Sequence, residues 1–196
     1  MDSAHSQQHT SDQAPLKSRL VDVATGLLIE RRDVKRPTMR QIATAAGVAP
    51  GAAYRHFESQ DDLFLAVVAK LFSDLEAALT KAIDSELDPT KSVRRFAHAF
   101  VIWGLENSGG YQLLFEQTDG NEVVVNTARP GLHMINRLAI MVAGNPTSTP
   151  LDLQKATLIW VAMHGVVSLR MHKTGMPWPN TIEGDVDHLL DALLNR

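Results

Sequence analysis

Apolar side chains recur at three- and four-residue steps along most of this chain, beginning with Leu16, Leu20, Val23, Ala24, Leu27 and Leu28. That period puts them on one face and predicts an amphipathic helix from Pro15 to Arg32, with Pro15 in its first turn. The loop DVKRP ends it. Thr38 then offers an N-cap hydroxyl with Gln41 three residues on, a capping-box pattern, and Met39, Ile42, Ala43 and Ala46 form the apolar face of a short helix over 38–45. Gly47 is placed to stop that helix in the left-handed conformation. Val48 opens a second short helix, expected to run to about Phe57. ESQDDL starts a long one, in which Asp61 and Asp62 favour the positive end of the helix dipole, and Leu63, Phe64, Val67, Leu71, Leu75 and Leu79 hold the spacing to about Ser85.

The same reading predicts a helix over about 91–107, a break at SGG, and a shorter helix holding Tyr111, Leu114 and Phe115. Further helices are expected over 122–143, 151–173 and 182–194, separated by GNPTSTP and GMPWP; EVVVN is the one stretch that also fits a strand. The expected fold is all-α with about nine helices. A disordered arm (1–14) precedes a three-helix N-terminal domain (15–60) and a larger helical bundle for ligand binding and dimerisation (61–196).

The segments 38–45 and 49–57 fit a helix-turn-helix, two short helices around a Gly-containing turn with the second entering the major groove. Close approach to DNA calls for small outward residues, supplied by Pro50, Gly51 and Ala52, and for polar ones at the edges, supplied by Tyr54, Arg55 and His56. Helical hairpins of other purposes share this outline.

Charge sharpens the picture. The chain has 196 residues and a net charge of −3, but residues 14–58 hold eight basic against four acidic side chains, and residues 59–196 hold eleven against sixteen. A basic head on an acidic body suits a protein that meets a polyanion at one end, although chance clustering of solvated charge produces the same asymmetry. The absence of cysteine excludes disulfides and thiolate chemistry. The polar start MDSAHSQQHTSDQA has neither the basic start nor the apolar core of a secretory signal, and no apolar run reaches membrane-spanning length. A soluble, cytoplasmic protein with no membrane partner is expected.

The stretch TMRQIATAAGVAPGAAYRHFESQDDLF, within residues 15–65, resembles the DNA-binding domain of TetR-family transcriptional regulators. The likeness covers Thr, Ile-Ala, Ala-Gly-Val, a small-residue stretch, Tyr-x-His-Phe and an acidic-plus-Leu start to the fourth helix. It implies a homodimer whose two heads reach successive major grooves of a palindromic double-stranded operator. Such proteins usually repress until a small molecule binds the body. Carried over position by position, Thr38 and Tyr54 match phosphate contacts, and Arg40 a residue reaching bases or backbone. Pro50, Gly51, Ala52 and His56 match the DNA-facing surface, Arg55 standing beside them, and Phe57 matches a core position. Gln60 departs from the family, which often has Lys there, so a backbone contact is expected to be lost and Lys17 and Arg19 to carry more of the electrostatics.

WVAMHGVVSLRMH, residues 160–172, resembles the Trp-x3-His-Gly signature of one C-terminal subgroup of that family. Gly165, Val166 and Leu169, together with Val186, Leu189, Leu190 and Leu193 of the last helix, are the expected dimer interface; an intramolecular core helix is the other reading. Apolar pocket candidates are Trp103, Tyr111, Phe115, Met134, Met141, Trp160 and Met163, with His98, His133 and His164 as polar handles. Each is also at home in a core. No phosphate loop, nucleophile elbow or paired carboxylates suggest an enzyme, and no cofactor or metal is expected. The functional expectation is a homodimeric repressor released by a small, largely apolar ligand. The alternative is a helical ligand- or protein-binding module that no longer binds DNA specifically.

Overall fold

A computed structural model describes residues 5–30, 36–116 and 130–194. Every regular element among them is helical. These are α1 (His5–Glu30), α2 (Met39–Ala45), α3 (Pro50–Ala53), α4 (Gln60–Ile83), α5 (Pro89–Glu106), α6 (Ser108–Tyr111, continued by a π-helical turn, Gln112–Glu116), α7 (Pro130–Ala143), α8 (Pro150–His172) and α9 (Ile182–Leu194). None is long and apolar enough to cross a membrane.

Three boundaries differ from the sequence expectation. First, α1 starts at His5, so residues 5–14, expected as a disordered arm, form its first turns. No Gly or Pro interrupts that stretch before Pro15, which therefore lies inside the helix. Second, SGG continues helical as the start of α6. A Cβ added at Gly110 would lie 2.9 Å from Leu71, so the glycine marks a close approach between helices. Third, α3 is shorter than expected, ending at Ala53 where a run to about Phe57 was expected. The ambiguous EVVVN and the first residues of the helix expected over 122–143 lie outside the described residues.

By compactness the chain divides into two units, Met1–Phe72 with Gly109–Thr118, and Ser73–Ser108 with Asp119–Arg196. In the first, Leu20, Ala24 and Leu28 of α1 are buried with Ile42 and Ala43 of α2, Ala53 of α3, Phe57, and Leu63, Phe64 and Val67 of α4. Arg36 and Lys17 lay cations over two of these buried rings, at 4.8 Å from the centroid of Phe64 and 5.1 Å from that of Phe57. In the second unit α8 is the central helix, packing on α5, α7 and α9. Phe96, Phe100, Met134, Leu138, Ile159, Met163, Val167, Val186 and Leu190 fill the space between them. Thr149 and Asp152 close a capping box at the start of α8, and Asp88 accepts a hydrogen bond from Lys91 N at the start of α5.

Candidate nucleic-acid interface

The helix-turn-helix begins at a well-made cap. Thr38 is extended (φ −70°, ψ 156°) and its Oγ1 accepts from Gln41 N at 3.3 Å, while Thr38 N donates to Gln41 Oε1 at 2.8 Å. At the other end Gly47 adopts φ +68°, the left-handed stop expected of it. The chain re-enters a helix at Pro50, whose missing N–H costs nothing in a first turn.

Regular α-helix then lasts only to Ala53. Hydrogen bonding nevertheless continues: Arg55 N and His56 N donate to carbonyls three residues back, and Phe57 N donates to Ala53 O at 3.1 Å. The tightened turn carries Tyr54 and Arg55 outward and Phe57 into the core. Arg40, Pro50, Gly51 and Arg55 are exposed, Tyr54 is 57% exposed, and His56 is half-buried. Ala52 corrects the sequence reading. It is only 8% exposed and faces inward with Ala53, because one more residue of helical rotation carries the chain from the outer Gly51 to the packed side.

Two residues that sequence reasoning assigned little part prove central to this end of the molecule. Gln60 Nε2 donates to the carbonyl of Pro37 at 3.1 Å, and Arg36 Nη1 pairs with Asp61 Oδ1 at 3.0 Å. Both tie the approach to α2 onto the first turn of α4. The only sequence signal was the departure from Lys at position 60.

The expected ligand residues are divided between the units. Tyr111 and Phe115 lie in the first, where Phe115 meets Tyr111 at 5.2 Å and Phe72 edge-on at 5.9 Å between centroids. Burial, and more weakly the nearby Glu116 carboxylate, push the Tyr111 phenol above its ordinary range. In the second unit Trp103, Met134 and Met163 are buried, Met141 is half-buried, and Phe100, Trp160 and His164 meet in tilted and edge-on ring contacts, the Trp160–His164 centroids being 4.5 Å apart. His133 corrects the expectation of an inward polar handle. Its side chain is 73% exposed and lies 3.5 Å from Glu76, which also takes a 2.7 Å hydrogen bond from Arg137. His98 is engaged as well, its Nε2 meeting Asp187 Oδ1 at 3.0 Å beside Arg94. These two neighbours, His98 foremost, hold the Asp187 carboxyl below the usual range.

The expected dimer residues separate into two sets. Val186 and Leu190 are each 2% exposed and belong to the core of this chain, so they are not available to face a partner. Leu193 is half-buried. Gly165, Val166, Leu169 and Leu189 line an open groove of about 500 Å³ between α8 and α9, with Ala162, Arg170, Trp178, Asp185 and His188. Leu169 is 49% and Leu189 38% exposed there. Arg170 braces one wall: its guanidinium sits 4.3 Å from the Trp178 ring centroid and bonds Asp185, whose carboxyl it holds below the usual range.

Comparison with known proteins agrees with this architecture. Residues 20–67 match the family described as bacterial regulatory proteins, tetR family, and residues 93–196 match the tetracyclin repressor-like, C-terminal domain. The nucleoid occlusion factor SlmA of Haemophilus ducreyi is 25% identical over 109 residues, 53% of this chain and 54% of that protein. The HTH-type transcriptional activator FasR of Mycolicibacterium smegmatis is 33% identical over 78 residues, 40% of this chain and 36% of that one. The chain thus spans about half or less of the length of these curated relatives. The crystal structure of AibR in complex with isovaleryl coenzyme A and operator DNA superposes with a TM-score of 0.63 at 14% identity, covering 91% of this chain and 98% of that one. With one match over the helix-turn-helix and another over more than half of its length, the chain belongs to the TetR family of bacterial regulatory proteins.

Proposed function

We propose that this protein is a sequence-specific DNA-binding transcriptional regulator that works as a homodimer and is released from a palindromic operator by a small, largely apolar ligand. The observation that carries the reading is the head itself. A capped α2, a left-handed Gly47 and a tightened α3 turn leave Arg40, Tyr54 and Arg55 exposed on a scaffold whose hydrophobic residues are buried. Exposed basic side chains can neutralise phosphates, and a recognition turn of mostly small residues leaves Arg40 as the side chain best suited to a base edge. Few bidentate readers remain, so thymine methyl groups and DNA shape supplement it. The clustered rings of Phe100, Trp160 and His164, with Met134 and Met163 buried in the same unit, supply apolar surroundings for an effector, and the α8–α9 groove supplies a face for a second copy.

The test is enrichment of fragmented genomic DNA by the purified protein beside an Arg40→Ala, Tyr54→Ala double variant. Recovery of a palindromic site that the variant loses is the expected result. No enrichment by a folded, dimeric wild type would favour the second reading, a helical binding module without DNA specificity. The sense of regulation is a separate matter: the FasR likeness is to an activator, so a reporter under the recovered site decides between repression and activation.

A further inference from the structure

Gln60 opens α4, and its half-buried amide turns inward, to the carbonyl of Pro37. The peptide unit joining Pro37 to Thr38 is thereby held at both edges. Its C=O accepts from Gln60 Nε2 at 3.1 Å, and its N–H donates to Gln41 Oε1 at 2.8 Å. One glutamine belongs to α4 and the other to α2. Pro37 itself is buried, and its ring restricts the backbone on the N-terminal side of that peptide.

Arg36 adds a second tie one residue earlier. Its guanidinium pairs with Asp61 and lies over the Phe64 ring, both on the first turns of α4, and its side chain is only 23% exposed. A basic residue of the head is in this way committed to internal contacts. Rotation of the Pro37–Thr38 peptide would swing the Thr38 side chain, whose hydroxyl caps α2 and stands exposed at its start.

We infer that Gln60 is a positioning residue: it fixes the Pro37–Thr38 peptide, and through it presents Thr38 to the DNA backbone. The inference rests on the proposed DNA binding for its consequence, and on the two hydrogen bonds for its mechanism. It replaces the expectation of a lost phosphate contact at position 60 with a contact made inside the protein.

The test uses the full chain and two variants, Gln60→Ala, which removes the donor, and Gln60→Glu, which keeps size and helix propensity but cannot donate to a carbonyl. In the DNA-free protein, hydrogen exchange at the Thr38 amide is expected to quicken roughly threefold or more in both, with near-UV circular dichroism unchanged. On the enriched genomic fragment, Thr38→Val is expected to weaken affinity about tenfold in the wild-type background, and by less than about twofold in either Gln60 background, because the two side chains act through one peptide. Unchanged exchange at Thr38 overturns the latch. Faster exchange with fully additive affinity losses overturns the positioning role. A wild-type protein that selects no DNA overturns the functional reading itself, which the exchange result by itself cannot do.

Discussion

Leu189 and Leu190 are neighbours in α9 with opposite surroundings, and substituting them separately tests the assignment of the α8–α9 groove. Leu169 and Leu189 are 49% and 38% exposed in the single chain. Full burial of a leucine side chain is worth about 1.5 to 3 kcal/mol, so covering what remains contributes roughly 0.7 to 1.5 kcal/mol for Leu169 and roughly 0.6 to 1.1 kcal/mol for Leu189. In a two-fold dimer each counts twice, a total of about 2.6 to 5 kcal/mol. The Leu169→Ala, Leu189→Ala variant keeps a methyl at each site, so a loss of about 2 to 4 kcal/mol is expected, a dimer constant weakened about 30- to 700-fold. Sedimentation equilibrium over a concentration series measures it. The fold of the subunit should persist, because neither side chain is part of its core. Leu190→Ala should do the reverse, costing about 2 to 5 kcal/mol of folding stability through a core cavity. A dimer constant unmoved by the Leu169, Leu189 pair would refute the groove as the subunit interface.

Three further outcomes are expected. Arg40→Ala should relax sequence preference by about 1 to 3 kcal/mol at one base position, read as a flattened column in a selected binding-site matrix; an unchanged matrix would remove Arg40 as a base reader. Gly47→Ala has open space for its Cβ but must hold φ +68°, so thermal unfolding should report a loss of about 1 to 2 kcal/mol, and none if the turn relaxes freely. Asp187 binds its proton less tightly folded than unfolded, so its stabilisation is complete above the ordinary carboxylate value of about 4 and is lost as pH falls through the lower folded value. An acid titration of stability should therefore flatten in Asp187→Asn, and an identical acid limb in both proteins would contradict the His98–Asp187–Arg94 contact as its source.

The parts that were legible in the sequence are those written locally. Thr38 with Gln41, the stop at Gly47 and the apolar faces of α4 and α9 each depend on residues within a turn or two, and a period of 3.6 exposes them. Long-range pairings were not legible: Gln60 meets Pro37 across 23 positions and Arg36 meets Asp61 across 25, with no repeating pattern to announce either. Ala52 was misread because small residues offer no contrast between an inner and an outer face. Val186 and Leu190 were misread for a related reason. Apolarity says that a side chain will be covered, but not whether its own chain or another does the covering.

Trp178 gives the groove a spectroscopic handle. The chain has three tryptophans; Trp103 is buried in the core, Trp160 meets Phe100 and His164 in tilted and edge-on contacts, and Trp178 stands half-buried on Arg170 at the groove wall. Of the three, only this indole lines the groove and would change its solvation if a second copy came to occupy it. Its emission on simple dilution is then an unlabelled gauge of assembly, and selective loss of that signal in Trp178→Phe would identify the reporter.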